Sequence, residues 1–331
     1  MIEQTELNEL KRGDPVDHYL LISRLDVRNT KAGKKYLSLE LQDKSLALNA
    51  NVWDNFQGLL NSSKLGDVVK INGTIEEFQG SAQIRISKIR PLSPSDNISP
   101  IDFLPKSEHD LNKMVEEFES RIDKISNNHL KSLLGRIFSG ERFTNFTLAP
   151  AGKSWHHGYI HGLIEHTLEI IKICDLMCDF HPELNRDLII SGAMLHDFGK
   201  TEELKYDSAF EYTDKGKLLG HIVIAAIAIS EEVKSLPGFP VELKNNLIHL
   251  VLSHQGKLEY ASPVVPKTIE AIALYQADEL SAKVNAYKNA LSTEKKSDGG
   301  WTRFITLAQT DLYNHELSPE SEEKSNDTLF D

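Results

Sequence analysis

The stretch GAMLHDFGK, residues 192–200, decides the fold of the larger part of this chain. It places His196 and Asp197 side by side at the end of an apolar helical run. Adjacent residues on a helix point about 100° apart, so these two side chains cannot both face one apolar core. A buried, charged aspartate needs a partner, and a metal ion is the strongest one. The stretch therefore predicts either a helix terminus with two incidental polar residues or half of a metal site.

Further polar residues interrupt apolar helical stretches on both sides of this motif. They are His166, His221, His254 and Asp278. A single histidine of this kind is more often a hydrogen-bonded core or helix-end residue than a ligand. Imidazoles and carboxylates together, spread over several helices, favour a site for a borderline or hard divalent cation. Since neither Cys174 nor Cys178 joins the set, the pattern argues against a structural zinc cage.

The composition of the 331-residue chain is that of an ordinary soluble protein, with 40% hydrophobic and 26% charged residues. Its N-terminus lacks the apolar core of a signal peptide, and no apolar run approaches the ~18 residues of a membrane span. We therefore expect a cytoplasmic protein without a membrane partner. The net charge of −12 argues against nucleic acid as a partner, but residues 1–95 carry +1 and the remainder −13. An acidic domain can still act on a polyanion if bound metal ions supply positive charge.

Residues 18–90 have the pattern of a small β-barrel. In YLSLELQD, Leu37, Leu39 and Leu41 alternate with other residues, as in a half-buried strand. Further strands are indicated by HYLLISRLDV, LALNANVW, DVVKINGTIEEF and AQIRISKIR. A short helix is expected in DNFQGLLNSSKLG, between the third and fourth strands. Five strands with a helix at that position are typical of an OB-fold barrel.

Composition sets the remaining boundaries. The stretch PLSPSDNISPIDFLP has the Pro, Ser and Asp content of a linker, and apolar residues then recur at helical steps from LNKMVEEFESRIDKI onward. We predict a multidomain chain of α and β structure, with a five-stranded OB-fold β-barrel followed by an all-α domain. The predicted segments are an N-terminal extension (1–17), the barrel (18–92), a linker (93–106), the all-α domain (107–314) and an acidic disordered tail (315–331).

Several motifs resemble one known family. LHDFGK is similar to the HD-x-GK core of the HD-domain metal-dependent phosphohydrolases. An OB-type barrel followed by an HD domain resembles the YhaM-type 3′–5′ exoribonucleases. The stretches WHHGYIHGLIEHTLEI, VLSHQGKLEYASPVVPKTIEAIALYQADELSAKVNAY and GGWTRFITLAQTDLY also resemble that family. The similarity covers roughly residues 18–314.

The resemblance implies a site for two divalent metal ions. Its implied ligands are His166, His196, Asp197, His221, His254 and Asp278. Asp197 is expected to bridge both ions, with His221 and His254 completing the second position. Mn²⁺ is the expected metal, with Fe²⁺, Co²⁺, Mg²⁺ and Zn²⁺ as alternatives. Many members carry two adjacent histidines where this chain has His254-Gln255, and an amide oxygen is a weaker ligand than imidazole, so occupancy of the second position stays open.

The resemblance also implies the reaction. Metal-activated water would hydrolyse the last phosphodiester of single-stranded RNA and release a 5′-nucleotide, with single-stranded DNA as an open second substrate. Asp197, Lys200 and His157 are the expected catalytic residues, although Lys200 also fits a plain helix-end lysine. OB-folds stack bases on aromatic rings and track the backbone with cations. The expected nucleic-acid contacts are Tyr36, Lys34, Lys35, Trp53, Arg85 and Lys88.

Two other functions stay open at this point. One is an HD-domain phosphohydrolase of nucleotides or cyclic dinucleotides, with the barrel as a regulatory domain. The other is a nucleic-acid-binding protein with a weakly active metal site. A homo-oligomer is compatible with all of these functions.

Overall fold

The computed structural model describes residues 4–30, 32–78, 80–153, 155–293 and 300–314. The chain divides into two compact units, one formed chiefly by the residues up to Pro105 and the other by Lys106–Tyr206 and the described residues from 210 to 314. The predicted acidic tail, 315–331, lies outside the described residues. Each helix in the described ranges is too short or too polar to cross a bilayer.

The first unit is a closed barrel with the spatial strand order β1-β2-β3-β5-β4. The strands are β1 (Pro15–Asn29), β2 (Lys35–Gln42), β3 (Ala47–Val52), β4 (Val68–Phe78) and β5 (Ser81–Pro91). A short helix, α1 (Gln57–Ser62), lies between β3 and β4 in the chain. The neighbouring strands are antiparallel except β3 and β5, whose parallel pairing closes the barrel. These features confirm the predicted OB-fold.

The barrel core follows the alternation of side chains along each strand. Leu37, Leu39 and Leu41 of β2 are fully buried, and Ala50 of β3 joins them in the same apolar cluster. Tyr36, one residue out of phase with the leucines, stays partly exposed. The period-two pattern therefore puts apolar side chains inside the barrel and leaves β2 with an accessible aromatic ring outside.

The second unit is helical, with one short hairpin. Its elements are α2 (Leu111–Asp123), α3 (Asn128–Ile137), α4 (Gly140–Leu148), α5 (Gly162–Phe180), α6 (Arg186–Leu195), α7 (Lys200–Glu203), β6 (Leu204–Lys205), β7 (Glu211–Tyr212), α8 (Asp214–Lys234), α9 (Val241–Ser253) and α10 (Ile269–Thr293). Asp110, Asn127 and Asn185 begin α2, α3 and α6 by accepting a hydrogen bond from a backbone N–H of the first turn. This arrangement confirms the predicted helical domain.

Five of these helices meet around one polar centre. Helix α5 packs on both α6 and α10, and α9 packs on both α6 and α8. Their apolar faces form a continuous core that includes Leu163 of α5, Met194 of α6 and Leu250 of α9. Gly192 of α6 lies against Leu250, with a hypothetical Cβ only 2.5 Å from a Leu250 methyl carbon. This close approach brings the ends of α6 and α9, with their polar residues, to the same place.

Candidate metal centre

The six predicted ligands come together at this helix junction. They are His166 on α5, His196 and Asp197 directly after α6, His221 within α8, His254 directly after α9 and Asp278 on α10. All are buried except His221, which is partly exposed. Helix α8 departs from helical geometry at Gly220, whose φ is 71°, and the kink lets the backbone N–H of His221 donate to the carboxylate of Glu203, 3.0 Å away.

Asp197 is at the centre of the cluster, and its two oxygens face different groups of imidazoles. Its Oδ2 lies 3.2 Å from Nε2 of His196 and 3.8 Å from Nε2 of His166. Its Oδ1 lies 3.3 Å from Nε2 of His221 and 3.6 Å from Nε2 of His254. One carboxylate therefore separates two pairs of imidazole nitrogens.

Asp278 completes the first of these groups. Its Oδ1 lies 3.1 Å from Nε2 of His166 and 4.0 Å from Nε2 of His196. Together with Asp197, it gives this side of the cluster two imidazoles and two carboxylates. The other side has Asp197, His221 and His254.

Each of the four imidazoles has its Nδ1 engaged by an oxygen. Nδ1 of His196 lies 2.8 Å from the Ala193 carbonyl, and Nδ1 of His254 lies 2.7 Å from the Val251 carbonyl. A carbonyl oxygen only accepts, so both Nδ1 atoms carry a proton, and Nε2 is the nitrogen of each ring that can offer a lone pair to an ion. The two rings use the same local geometry, a bond to the carbonyl three residues earlier at a helix end.

The other two imidazoles are oriented by acidic side chains. Nδ1 of His221 lies 3.1 Å from the Glu203 carboxylate. Nδ1 of His166 lies 2.9 Å from the Ser281 hydroxyl, which itself donates to Glu169 at 2.6 Å. The Ser281 oxygen must then accept from His166, which again leaves Nε2 as the unprotonated nitrogen. Such outer partners orient metal-binding histidines.

The charge states of these groups suit metal binding. Burial lowers the pKa of His166 to about 4, even though Asp278 opposes this shift, and burial also lowers the pKa of His254. Burial opposes protonation of His196 as well, but the neighbouring Asp197 outweighs it and raises the pKa of His196. Burial works against ionisation of Asp197, yet Lys200 and His196 hold its pKa well below the ordinary value. Neutral imidazoles and ionised carboxylates are the forms that bind metal, so the shifts of His166, His254 and Asp197 favour binding, whereas His196 must give up any proton it carries when an ion binds.

The donor set fits divalent cations. Nε2 of His196, Nε2 of His221 and Oδ1 of Asp197 are buried and have no hydrogen-bond partner. When these nitrogens are unprotonated, their lone pairs face a carboxylate and need a cation between them. The ligand atoms of His166, His196 and Asp197 lie within 4.8 Å of one another, and so do those of Asp197, His221 and His254. The residues present therefore fit two adjacent ions that share Asp197.

Lys200, a predicted catalytic residue, is the first residue of α7 and is 6% exposed. Its Nζ lies 2.6 Å from Oδ2 of Asp197. Burial disfavours its charge, but Asp197 outweighs this and raises its pKa, so Lys200 is a cation at the edge of the metal centre. A lysine that merely caps a helix end would be exposed, so the burial favours a role at the site.

The two adjacent histidines before α5 have different positions. His157, the predicted catalytic one, is fully buried at a φ of 41°, with Nε2 3.4 Å from Glu169. His156 lines a cavity beside the metal centre together with Lys200, and neither of its ring nitrogens has a hydrogen-bond partner. The ring centres of both histidines lie 5.0 Å from that of His166, but only His156 lines the cavity.

The predicted barrel contacts form one aromatic pair with cations around it. Tyr36 and Trp53 stack with ring centres 4.6 Å apart, and Trp53 is 49% exposed, so it is not a core residue. A surface groove of about 510 Å³ is lined by Trp53 and Lys88. The exposed tryptophan gives this groove a free aromatic surface beside a cation.

The predicted basic residues of the barrel differ in whether an acidic side chain pairs with them. Lys34 is paired with Asp54 at 2.7 Å and Arg85 with Glu76 at 2.9 Å. Within the described ranges, Lys35 and Lys88 are exposed and form no ion pair. These two lysines are the cations most available to a phosphate backbone.

The residues that orient the ligands through their Nδ1 atoms were not predicted from the sequence. Glu169 is three residues after His166, and Ser281 is three residues after Asp278. Residues at that spacing share a helix face, so both could have been found from helical periodicity. Glu203 could not have been found from periodicity, because only the kink at Gly220 brings His221 close to it.

Comparison with known proteins assigns both units. A family model of the HD domain matches residues 163–283, and one of the OB-fold nucleic acid binding domain matches residues 24–92. The 3′–5′ exoribonuclease YhaM of Bacillus subtilis (strain 168) is 33% identical over 304 residues, which are 91% of this chain and 95% of that protein. The 3′–5′ exoribonuclease YhaM of Listeria innocua is 31% identical, with 94% of this chain and 98% of that protein covered. The 3′–5′ exoribonuclease YhaM of Geobacillus sp. (strain WCH70) is 34% identical, with 91% of this chain and 92% of that protein covered.

Proposed function

The chain belongs to the YhaM family of 3′–5′ exoribonucleases and is a metal-dependent enzyme of that class; we propose that it uses two divalent ions, Mn²⁺ foremost, at the six-residue cluster. The observation that carries this proposal is the position of Asp197 between two groups of inward-facing imidazoles. When bound, such a pair of ions activates water and stabilises the charge that develops on a phosphodiester in an in-line displacement.

The chain's own residues would hold the two ions apart and in place. His166, His196 and Asp278 would hold the first ion together with Asp197. His221 and His254 would hold the second ion with the other oxygen of Asp197. The Nδ1 partners of all four imidazoles keep the rings from turning, so their Nε2 atoms face Asp197.

Lys200 and His156 are the residues best placed to hold the scissile phosphate. Both line the cavity beside the cluster, and the ammonium group of Lys200 already neutralises part of the Asp197 charge. A phosphate oxygen that enters here meets a cation and an imidazole whose ring nitrogens have no other partner. These two side chains position the phosphate and offset its negative charge.

The barrel supplies the grip on single strands. OB-folds bind them by base stacking and by contacts of cations with the backbone. The exposed ring of Trp53, stacked on Tyr36, offers a surface for one base, and the exposed Lys35 and Lys88 provide charge without a competing ion pair. Because few cations are free, we expect binding of moderate strength that weakens with added salt.

A substrate and metal panel tests the function. Purified protein is incubated with single-stranded RNA, single-stranded DNA, mononucleotides and cyclic dinucleotides, each with Mn²⁺, Mg²⁺, Co²⁺, Fe²⁺ or Zn²⁺. We expect RNA to be shortened to 5′-nucleotides, fastest with Mn²⁺, and the small nucleotides to survive. Hydrolysis of the small nucleotides with intact RNA would support the alternative HD phosphohydrolase. Binding of RNA without turnover in any metal would support the nucleic-acid-binding alternative.

A further inference from the structure

A cavity of about 160 Å³ opens beside the metal centre, and we propose that it receives the 3′-terminal nucleobase of the RNA, stacked on the ring of Tyr260. The metal ligands His254 and Asp278 form part of its wall, so whatever fills the cavity lies directly next to the reacting phosphate. The inference rests on the proposed function, because it requires a nucleotide chain at the metal centre.

Three aromatic side chains contribute to the wall of the cavity. Trp155, Tyr260 and Tyr275 all line the cavity. In the described part of the chain none of these three stacks on another ring, unlike Tyr36 and Trp53 of the barrel. Tyr260 is 48% exposed, and Lys257 lies 5.0 Å from its ring centre. A large exposed ring with no ring partner, beside a catalytic centre, is suited to stack a base.

The loop that carries Tyr260 is held rigidly. Gly256 has a φ of 75°, and a Cβ at this position would lie 2.2 Å from a ring carbon of Tyr275, so the loop backbone packs flat against that ring. The Ser262 hydroxyl donates to the carbonyl of Val264 at 2.7 Å and also lies 3.1 Å from that of Leu252, which ties the far end of the loop to the end of α9. A ring on a fixed loop loses little entropy when a base stacks on it.

The polar groups of the cavity are divided between its two ends. Lys200 and His156 lie at the metal end, where the phosphate belongs. Glu279 and Lys283 also line the cavity and form an ion pair with each other at 2.7 Å. With these two charges paired, the aromatic rings and the Gln255 amide are the groups left to contact a base. Stacking accepts any base, so the cavity fits an enzyme that removes successive nucleotides of varied sequence.

The size of the cavity suits one nucleotide end. A volume of about 160 Å³ is below the usual 300–1,000 Å³ of pockets for larger ligands. A space of this size suits one base at a chain end, in keeping with removal of the last nucleotide.

A substrate–variant cycle tests the assignment. The substrates are a 5′-labelled single-stranded RNA with all bases present, the same RNA with an abasic ribose at the 3′-terminal nucleotide, and one abasic at the third nucleotide from that end. The rate constant for removal of the terminal nucleotide is measured for the wild type, Tyr260→Ala and Tyr260→Phe. Tyr212→Ala is the control, because Tyr212 is 43% exposed and does not line the cavity.

We expect loss of the terminal base to slow the wild type, Tyr260→Phe and Tyr212→Ala by roughly 5- to 100-fold. Tyr260→Ala should be slow on the intact RNA and lose almost nothing more on the terminally abasic one. If Tyr260→Ala loses the same factor as the wild type, or if the third position matters instead of the last, the assignment is wrong. Failure of the wild type to shorten the intact RNA would overturn the proposed function itself, and the cavity assignment with it.

Discussion

Asp197 is the residue that joins the two groups of imidazoles into one candidate metal centre. Its carboxylate is buried, and no other side chain in the described ranges faces both imidazole groups. The cost of burying this charge is offset by Lys200 on one side and, when ions bind, by two cations. The four histidine ligands differ mainly in the group that binds their Nδ1 atom. The effect of this group on metal affinity can be measured.

Glu169 should matter for metal affinity although it is not a proposed ligand. In Glu169→Gln the amide removes the negative charge that orients the Ser281 hydroxyl and, through it, His166. We expect Mn²⁺ to bind the first position about 10- to 100-fold more weakly, as measured by isothermal titration calorimetry. Glu231→Gln, which changes an exposed glutamate on α8, is the matched control. An unchanged dissociation constant in Glu169→Gln would contradict the orienting role.

Gln255 should weaken the second metal position. Its Nε2 lies 3.2 Å from Nε2 of His254, so its amide N–H can donate to the lone pair that an ion needs. Gln255→His replaces that donor with a better ligand, and we expect the second Mn²⁺ to bind roughly tenfold more tightly. Calorimetry with counted bound metal per chain measures the change. If the second ion binds no better, Gln255 is not what limits this position.

At the level of elements, glycines decide how closely the polar segments approach. A Cβ on Gly199 would lie 2.0 Å from the carbonyl oxygen of His221, so only glycine lets the segment after α6 reach the kink of α8. In the HD-x-GK motif, the glycine is therefore required for packing, whereas the lysine has its role at the metal centre. The same reasoning explains why Gly192 lies where α6 crosses α9.

We therefore expect Gly199→Ala to lower the free energy of unfolding by about 1–3 kcal/mol, because the methyl group forces two backbone segments apart. It should also weaken the second metal position, since His221 moves. Gly135→Ala is the control: Gly135 lies inside α3 with open space around it, so alanine should be neutral or stabilising by up to about 1 kcal/mol. Chemical denaturation of both variants measures the difference, and equal stabilities would refute the packing argument.

The elements themselves were largely predictable, and the site was predictable in part. Alternating leucines in β2 and helical steps in α2 reflect burial on one face, which the sequence displays directly. The six ligands could be found because each is a polar residue within an apolar stretch. Glu203 and Tyr260 escaped notice because their roles depend on a kink and on a loop that packs against Tyr275, and neither feature has a local sequence pattern.

At the scale of the whole molecule, we expect the barrel to bind the single strand and the helical unit to cleave it. Trp53→Ala removes the exposed ring of the stacked pair on the barrel and leaves the metal centre untouched. We expect the KM for long single-stranded RNA to rise by roughly 5- to 100-fold, with kcat little changed, because one base loses its stacking partner. Hydrolysis of a dinucleotide should be unaffected. Phe180→Ala, an exposed aromatic change on α5, serves as the control, and an equal effect on both substrates would contradict this division.

The central claim is that the cluster around Asp197 carries out metal-dependent removal of nucleotides from the 3′ end of RNA. The most direct measurement is a time course of 5′-end-labelled single-stranded RNA with Mn²⁺, for the wild type and Asp197→Asn, resolved on a denaturing gel. The account predicts a ladder that shortens one nucleotide at a time in the wild type, no ladder after chelation of the metal, and none with Asp197→Asn. Intact RNA with the wild type, or an identical ladder with Asp197→Asn, would contradict it.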